Sequence, residues 1–96
     1  MGIDDLIRPK RDLIRRIAER HGARNVRVYG SVARGEAGPQ SDVDILTDVG
    51  ASTSAWFPGG LVADLEDALG RRVDVVTGRA LSPGLHEQIL REAVPV

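Results

Sequence analysis

Gly30-Ser31, followed after ten residues by Asp42-Val43-Asp44, is the most informative feature of this 96-residue chain. Side chains of a strand alternate between its two faces, so Asp42 and Asp44 are expected to project to the same side. Two neighbouring carboxylates repel each other, and burial raises the pKa of at least one of them. We therefore expect the pair to share a divalent metal ion, with the glycine-serine turn beside it.

A third carboxylate lies in a second predicted strand, residues 71–77. Asp74 occupies the face of that strand opposite to Val73. If the two strands are neighbours, Asp74 can join Asp42 and Asp44. Three carboxylates beside a glycine-serine turn are typical of a site for a divalent metal that carries a nucleoside triphosphate.

The remaining sequence patterns predict helices and strands in alternation. This order indicates one α/β domain over residues 1–96, with a small mixed sheet and flanking helices. The predicted elements are a helix with Leu6, Leu13, Ile14 and Ile17 that ends at Gly22, a strand over Val26–Tyr29, a short helix from Ser31 to about Gly35, a central strand over Asp42–Thr47, a helix from Leu61 to Leu69, the strand with Asp74, and a helix from Ser82-Pro83 whose apolar face is Leu85, Ile89, Leu90 and Ala93.

Composition excludes several classes of protein. The chain has no cysteine, so it has neither disulfides nor thiolate metal sites. No apolar stretch reaches the length of a membrane span, and the N-terminus lacks the pattern of a signal peptide, so we expect a cytoplasmic protein with no membrane contact. One Trp, one Tyr and one Phe leave few groups for stacking on bases, so direct nucleic acid binding is not expected.

Charge is distributed unevenly along the chain. Residues 1–34 carry nine basic and four acidic side chains, whereas residues 35–96 carry four basic and ten acidic ones. This asymmetry either steers an anionic nucleotide or a charged partner, or reflects two solvated helix surfaces.

Three segments, residues 30–37, 41–46 and 69–76, resemble the minimal nucleotidyltransferase (MNT) domains of the DNA polymerase beta superfamily. They read Gly-Ser-Val-Ala-Arg-Gly-Glu-Ala, Ser-Asp-Val-Asp-Ile-Leu and Leu-Gly-Arg-Arg-Val-Asp-Val-Val. The resemblance covers nearly the whole chain and implies a polymerase beta-like palm fold. It also implies that a nucleoside monophosphate is transferred from a triphosphate with release of pyrophosphate. Such chemistry depends on positioning and charge neutralisation and needs no protein nucleophile.

The resemblance assigns roles by position. The aspartates would hold Mg²⁺, with Mn²⁺ as a substitute, the third of them would help to activate the attacking hydroxyl, and the glycine-serine turn would hold the triphosphate of ATP. Each assignment has a structural alternative. For the aspartate pair it is a solvent-facing acidic pair on an edge strand. For Gly30-Ser31 it is a simple turn with a helix cap, and for Arg34 it is a surface arginine. The predicted site comprises Asp42, Asp44 and Asp74 as catalytic and metal-binding residues, and Gly30, Ser31 and Arg34 as nucleotide-binding residues.

The acceptor of the nucleotide is expected to be a separate molecule, because the chain has no additional domain to shape an acceptor site. Many domains of the resembled family are antitoxins of HEPN-type toxins, and some adenylylate a tyrosine of that partner. The resemblance therefore implies a protein adenylyltransferase in a type VII-like toxin–antitoxin pair. Two alternatives stay open: an antitoxin that acts by binding alone, and transfer to a small molecule such as an aminoglycoside.

A contact for this partner is predicted around Trp56 and Phe57, beside the flexible Pro58-Gly59-Gly60 segment. Aromatic anchors dominate binding where they fill a pocket of the partner. The alternative is that Trp56 covers the small core.

Overall fold

The computed structural model describes residues 1–78 and 83–96. A mixed four-stranded sheet and a set of helices make up this part of the chain, which confirms the predicted fold class. The strands are β1 (Ala23–Tyr29), β2 (Val43–Val49), β3 (Val73–Thr77) and β4 (Val94–Pro95); the helices are α1 (Ile3–Leu6), a 3-10 helix (Arg8–Lys10), α2 (Arg11–Arg20), α3 (Gly30–Arg34), α4 (Gly59–Leu69) and α5 (Pro83–Glu92).

The strand order is β3-β2-β1-β4, so β2 is an interior strand as predicted. β2 runs parallel to β3, whereas β1 is antiparallel to both β2 and β4. The parallel pair requires a crossover connection, and α4 supplies it. This topology makes the strands that carry Asp44 and Asp74 direct neighbours.

The core lies on one face of the sheet, under α2 and α4. These helices contact each other, and they contact β1 and β3 respectively. Val43 on β2 and Val73 on β3 belong to this core. Because strand side chains alternate, the residues next to these valines lie on the opposite face, which carries the aspartates. The helical core residues include Ile14 and Ile17 on α2, with Leu61 and Leu65 on α4.

The predicted N-terminal helix is interrupted. Pro9 lies in the 3-10 helix between α1 and α2, where its missing N–H costs least. Leu13, which was expected to be buried, is 36% exposed, and Ile7 instead joins the core at 1% exposure. The break at Pro9 changes the register of the apolar residues between the two helical pieces.

The C-terminal segment differs from the prediction in two ways. Of the expected apolar face of α5, Ile89 is buried, but Leu85 and Leu90 are exposed. The chain then forms β4, which pairs with β1, and a strand of two residues has no periodicity that a sequence pattern can show. The predicted helix start at Ser82 lies outside the described residues.

Trp56 does not cover the core. Its side chain is 91% exposed, whereas Phe57 is partly buried and packs against the core cluster. Of the two roles considered for Trp56, the structure therefore excludes the core cap.

No helix within the described ranges is both long enough and apolar enough to cross a membrane.

Candidate active site

Three side chains form a row across one end of the sheet, where β1 ends and where β2 and β3 begin. Tyr29 at the end of β1 is the register partner of Asp44 on β2, and Asp44 is in turn the partner of Asp74 on β3. Residues in register project to the same face, and neighbouring strands are about 4.8 Å apart. The structure thus brings Asp44 and Asp74 together, as the sequence predicted on the condition that their strands were neighbours.

Asp44 is the more buried of these two carboxylates. Burial raises its pKa above the usual range, and the charges of Asp74 and Asp42 raise it further. The guanidinium of Arg34 acts in the opposite direction, and Glu92 adds a smaller increase. A carboxylate in such surroundings is ionised more easily when a cation lies beside it.

Asp42 lies just before β2 and is exposed. Its carboxylate is 3.8 Å from Arg72 Nε, a distance typical of a loose surface ion pair. Within residues 1–78 and 83–96, no three acidic or histidine side chains lie close enough together to form a ready-made metal site. Asp42, Asp44 and Asp74 are therefore not a preformed metal site in this part of the chain.

The chemistry of this group nevertheless suits Mg²⁺ or Mn²⁺. Its donors are carboxylate oxygens, which such hard cations prefer. The raised pKa of Asp44 is caused in part by unneutralised like charge, and a bound divalent cation would remove that repulsion.

Gly30 forms the turn between β1 and α3 with a φ of +73°, a conformation that favours glycine. A β-carbon at this position would lie 2.2 Å from Asp44 Oδ2, so the turn packs directly on the aspartate. α3 begins at Gly30 itself, and Tyr29 occupies the position before it. The expectation that Ser31 opens the helix as its cap is therefore wrong by two residues; Ser31 is half-buried within the first turn.

Arg34 ends α3 and is held by two carboxylates. Its Nε donates to Glu36 Oε2 at 3.0 Å, and its Nη1 donates to Glu92 Oε1 at 2.7 Å. These acceptors raise the pKa of the guanidinium, with the Glu36 hydrogen bond as the largest cause. Arg34 thus shares Glu92 with the Gly30 turn, while its side chain stays 47% exposed.

Glu92 is a member of this site that the sequence reasoning missed. The Gly30 N–H donates to Glu92 Oε1 at 2.5 Å, so one oxygen accepts from both the turn and Arg34. Glu92 is 62 residues from Gly30 in the chain and lies on a helix whose pattern indicates only an apolar face and a polar face. No local signal in the sequence would have connected the two.

Tyr29 is the other missed residue. Burial, followed by the charges of Asp44, Asp74 and Glu92, raises its pKa to about 12. The phenol therefore stays protonated at neutral pH and contributes a neutral hydroxyl to a strongly acidic surface.

Comparison with known proteins agrees with this geometry. A family model described as a nucleotidyltransferase domain matches residues 10–96. The chain belongs to this nucleotidyltransferase family. A relative named protein adenylyltransferase MntA, from Thermococcus cleftensis, is 44% identical over 80 residues, which are 83% of this chain and 81% of the relative.

Solved structures show the same fold. One, described as a candidate minimal nucleotidyltransferase, is 45% identical with a TM-score of 0.86 and covers 100% of this chain and 97% of its own. Another, a toxin–antitoxin complex with AMP-PNP, has a TM-score of 0.75 at 22% identity, covering 88% of this chain and 69% of that one. The second likeness concerns the fold alone. The resemblance to minimal nucleotidyltransferases is thus confirmed, and with it the expected class of enzyme.

Proposed function

We propose that this nucleotidyltransferase transfers AMP from ATP to a hydroxyl of a partner protein, in a reaction that depends on Mg²⁺. The observation that carries the proposal is the packing of Gly30 on Asp44, with Asp74 in register beside it. This arrangement brings a turn that would hold phosphate into contact with a pair of carboxylates.

Asp42, Asp44 and Asp74 would hold the metal. When bound, the metal supplies positive charge to the phosphate oxygens and to the attacking oxygen. Asp42 is exposed, so it can rotate from Arg72 toward the site at little cost. Asp74 lies at the open side of the row and is the carboxylate placed to accept the proton of the incoming hydroxyl.

The transfer itself is a substitution at the α-phosphorus of ATP. The hydroxyl oxygen of the partner bonds to that phosphorus, the bond from the phosphorus to the bridging oxygen breaks, and pyrophosphate leaves with the electron pair. Gly30 and Ser31 would hold the triphosphate through their amides and the Ser31 hydroxyl, while Arg34 would contact a phosphate oxygen. For this transfer the chain needs only to position the reacting groups and to neutralise the negative charge of the phosphates, and these residues would do both.

The acceptor we propose is a tyrosine of a HEPN-type toxin, for which this chain would be the antitoxin. Support comes from the name of the 44% identical relative, a protein adenylyltransferase, and from the toxin–antitoxin neighbour with the same fold. Since the proposed reaction consumes ATP, we propose the cytoplasm as its location. Trp56, with its exposed indole, is the proposed anchor for the partner.

A second candidate function is neutralisation of the toxin by binding alone. Trp56 fits that role equally well, because it is exposed in the turn between β2 and α4. The intact row of Asp44 and Asp74 favours the enzyme.

The test is AMP transfer from ATP labelled at the α-phosphate to the co-purified partner. Asp42→Asn, Asp44→Asn and Asp74→Asn should each abolish most labelling and weaken the dependence on Mg²⁺. Asp67→Asn, an exposed aspartate on α4, is the matched control and should keep wild-type labelling. Full labelling by Asp44→Asn at saturating Mg²⁺ and ATP would show that the metal assignment is wrong.

A further inference from the structure

A carboxylate already lies where the proposed function needs a phosphate. Glu92 Oε1 accepts from the Gly30 N–H at 2.5 Å and from Arg34 Nη1 at 2.7 Å. These two donors are the backbone and side-chain groups assigned above to the triphosphate. Carboxylate and phosphate oxygens are both anionic acceptors of such donors, so they cannot use the same N–H groups together.

We infer that Glu92 is a displaceable occupant of the nucleotide site, which ATP must replace in order to bind. The inference rests on the proposed function, since it takes Gly30 and Arg34 as phosphate ligands. It adds a regulatory contact within the chain: the last residue of α5 blocks the turn until a triphosphate takes over its hydrogen bonds.

The fold places Glu92 at this position from two sides. α5 contacts α3, and directly after α5 the chain pairs with β1 through Val94 and Val28. The backbone at Glu92 is thus fixed by a helix and a strand. The side chain has three rotatable bonds, so a change of rotamer alone can free Gly30 and Arg34 while β4 stays paired.

Glu36 has a different part in the same arrangement. It accepts from Arg34 Nε, whereas Glu92 accepts from Nη1. When Glu92 leaves, Arg34 keeps one carboxylate that orients it and presents a free N–H edge to a phosphate oxygen. Glu36 is therefore the orienting partner and Glu92 the competing one.

The negative charge of Glu92 also opposes nucleotide binding. Glu92 adds negative charge close to Asp44 and Tyr29, in a site already rich in carboxylates. A triphosphate that approaches this surface is repelled by Glu92 as well as excluded by its hydrogen bonds. Neutralising Glu92 should thus favour nucleotide binding.

The experiment is calorimetric titration with Mg²⁺ and α,β-methylene ATP, in which carbon replaces the bridging oxygen and AMP transfer is blocked. Glu92→Gln should lower the Kd about tenfold, the effect of weakening one charge-assisted hydrogen bond that competes with the ligand. Glu87→Gln removes an exposed charge from the same helix, in an ion pair with Arg91, and should leave the Kd within about twofold of the wild type. Unchanged or weaker binding by Glu92→Gln would overturn the inference, because it would mean that Glu92 holds Arg34 ready for the phosphate.

Two further measurements separate this inference from the proposed function. In an Arg34→Ala background, Glu92→Gln should gain less affinity than it does alone, because the two residues share one interaction. Tighter binding by Glu92→Gln with no AMP transfer to any protein would support the occupant role and reject the transferase. AMP transfer by the wild type, without tighter binding in Glu92→Gln, would reject the occupant role alone. Absence of binding in all variants, each with a normal thermal melt, would overturn both.

Discussion

Gly30 and Asp44 are in such close contact that a β-carbon on Gly30 would lie 2.2 Å from Asp44 Oδ2. A side chain on the turn would therefore collide with the carboxylate. A change at the turn should affect the metal site as well as the phosphate site, and the two functions are expected to fail together.

Gly30→Ala should abolish AMP transfer. Alanine at a φ of +73° costs about 1–2 kcal/mol, and its β-carbon would in addition push the Asp44 carboxylate out of the row. The measurement is transfer activity together with the free energy of unfolding in urea.

Gly35→Ala is the matched control for this variant. Gly35 has a φ of +77°, but among residues 1–78 and 83–96 no atom beyond its own neighbours lies within 4 Å of a β-carbon placed there. Gly35→Ala should lose about as much stability as the backbone strain costs in Gly30→Ala, and it should keep its transfer activity. Equal activity of the two variants would show that contact with Asp44 is unimportant.

Asp44→Asn should make the metal-free protein more stable at neutral pH while abolishing transfer. The fold raises the pKa of Asp44, so the folded state favours the protonated form and loses stability as the pH rises above the ordinary value near 3.8. Asparagine does not ionise and avoids this loss. In EDTA at about pH 7 the variant should melt at a higher temperature than the wild type. The difference should disappear at about pH 3, where the wild-type carboxyl is protonated in both the folded and the unfolded state.

Asp48→Asn, further along the same strand, should have the opposite effect. Hydrogen bonds from Asn25, together with the charge of Arg27, lower the pKa of Asp48. Its contribution to stability is therefore present above pH 3.8 and is lost as the pH falls through the lowered pKa. The variant should be slightly less stable than the wild type at neutral pH; a gain in stability would contradict the stabilising role given to Asp48.

The sequence could predict those features of this molecule that depend on residues close together in the chain. The alternation around Val43 and Val73 placed the aspartates correctly on the face away from the core, because strand periodicity is a local property. The contact of Glu92 with Gly30 joins residues far apart in the chain, and it depends on how α5 ends against the sheet. Such a contact depends on the topology of the fold, and the periodic pattern of apolar residues in the sequence does not indicate it.

The errors have the same origin. Leu85 and Leu90 fit a helical apolar stripe, but α5 buries only part of that stripe, since the sheet it lies against is small. Ser31 is a good capping residue by type. Tyr29 nevertheless occupies the capping position, two residues earlier, and Gly30 follows it with a positive φ and packs closely on Asp44.

Trp56→Gly should weaken the complex with the partner and leave the isolated chain folded. Trp56 has a φ of +65° and an exposed side chain, so glycine relieves backbone strain and removes no core contact. Stability should stay within about 0.5–1 kcal/mol of the wild type. The affinity for the co-purified toxin, measured by surface plasmon resonance, should fall about tenfold or more if Trp56 is an anchor.

Phe57→Ala provides the comparison, because Phe57 is partly buried against the core. It should destabilise the chain and affect the complex only through that loss. Unchanged affinity in Trp56→Gly would place the toxin contact elsewhere on the surface.

Attachment of AMP to a partner protein can be tested directly by intact-mass spectrometry of that partner. The chain is co-expressed with the product of the neighbouring gene as the proposed toxin, incubated with Mg²⁺ and ATP, and that protein is weighed. We predict a gain of one or more AMP groups on the toxin, absent with the Asp42→Asn/Asp44→Asn double variant and retained with Asp67→Asn. A tight, inactive complex whose toxin has gained no mass would contradict the transferase and support neutralisation by binding alone.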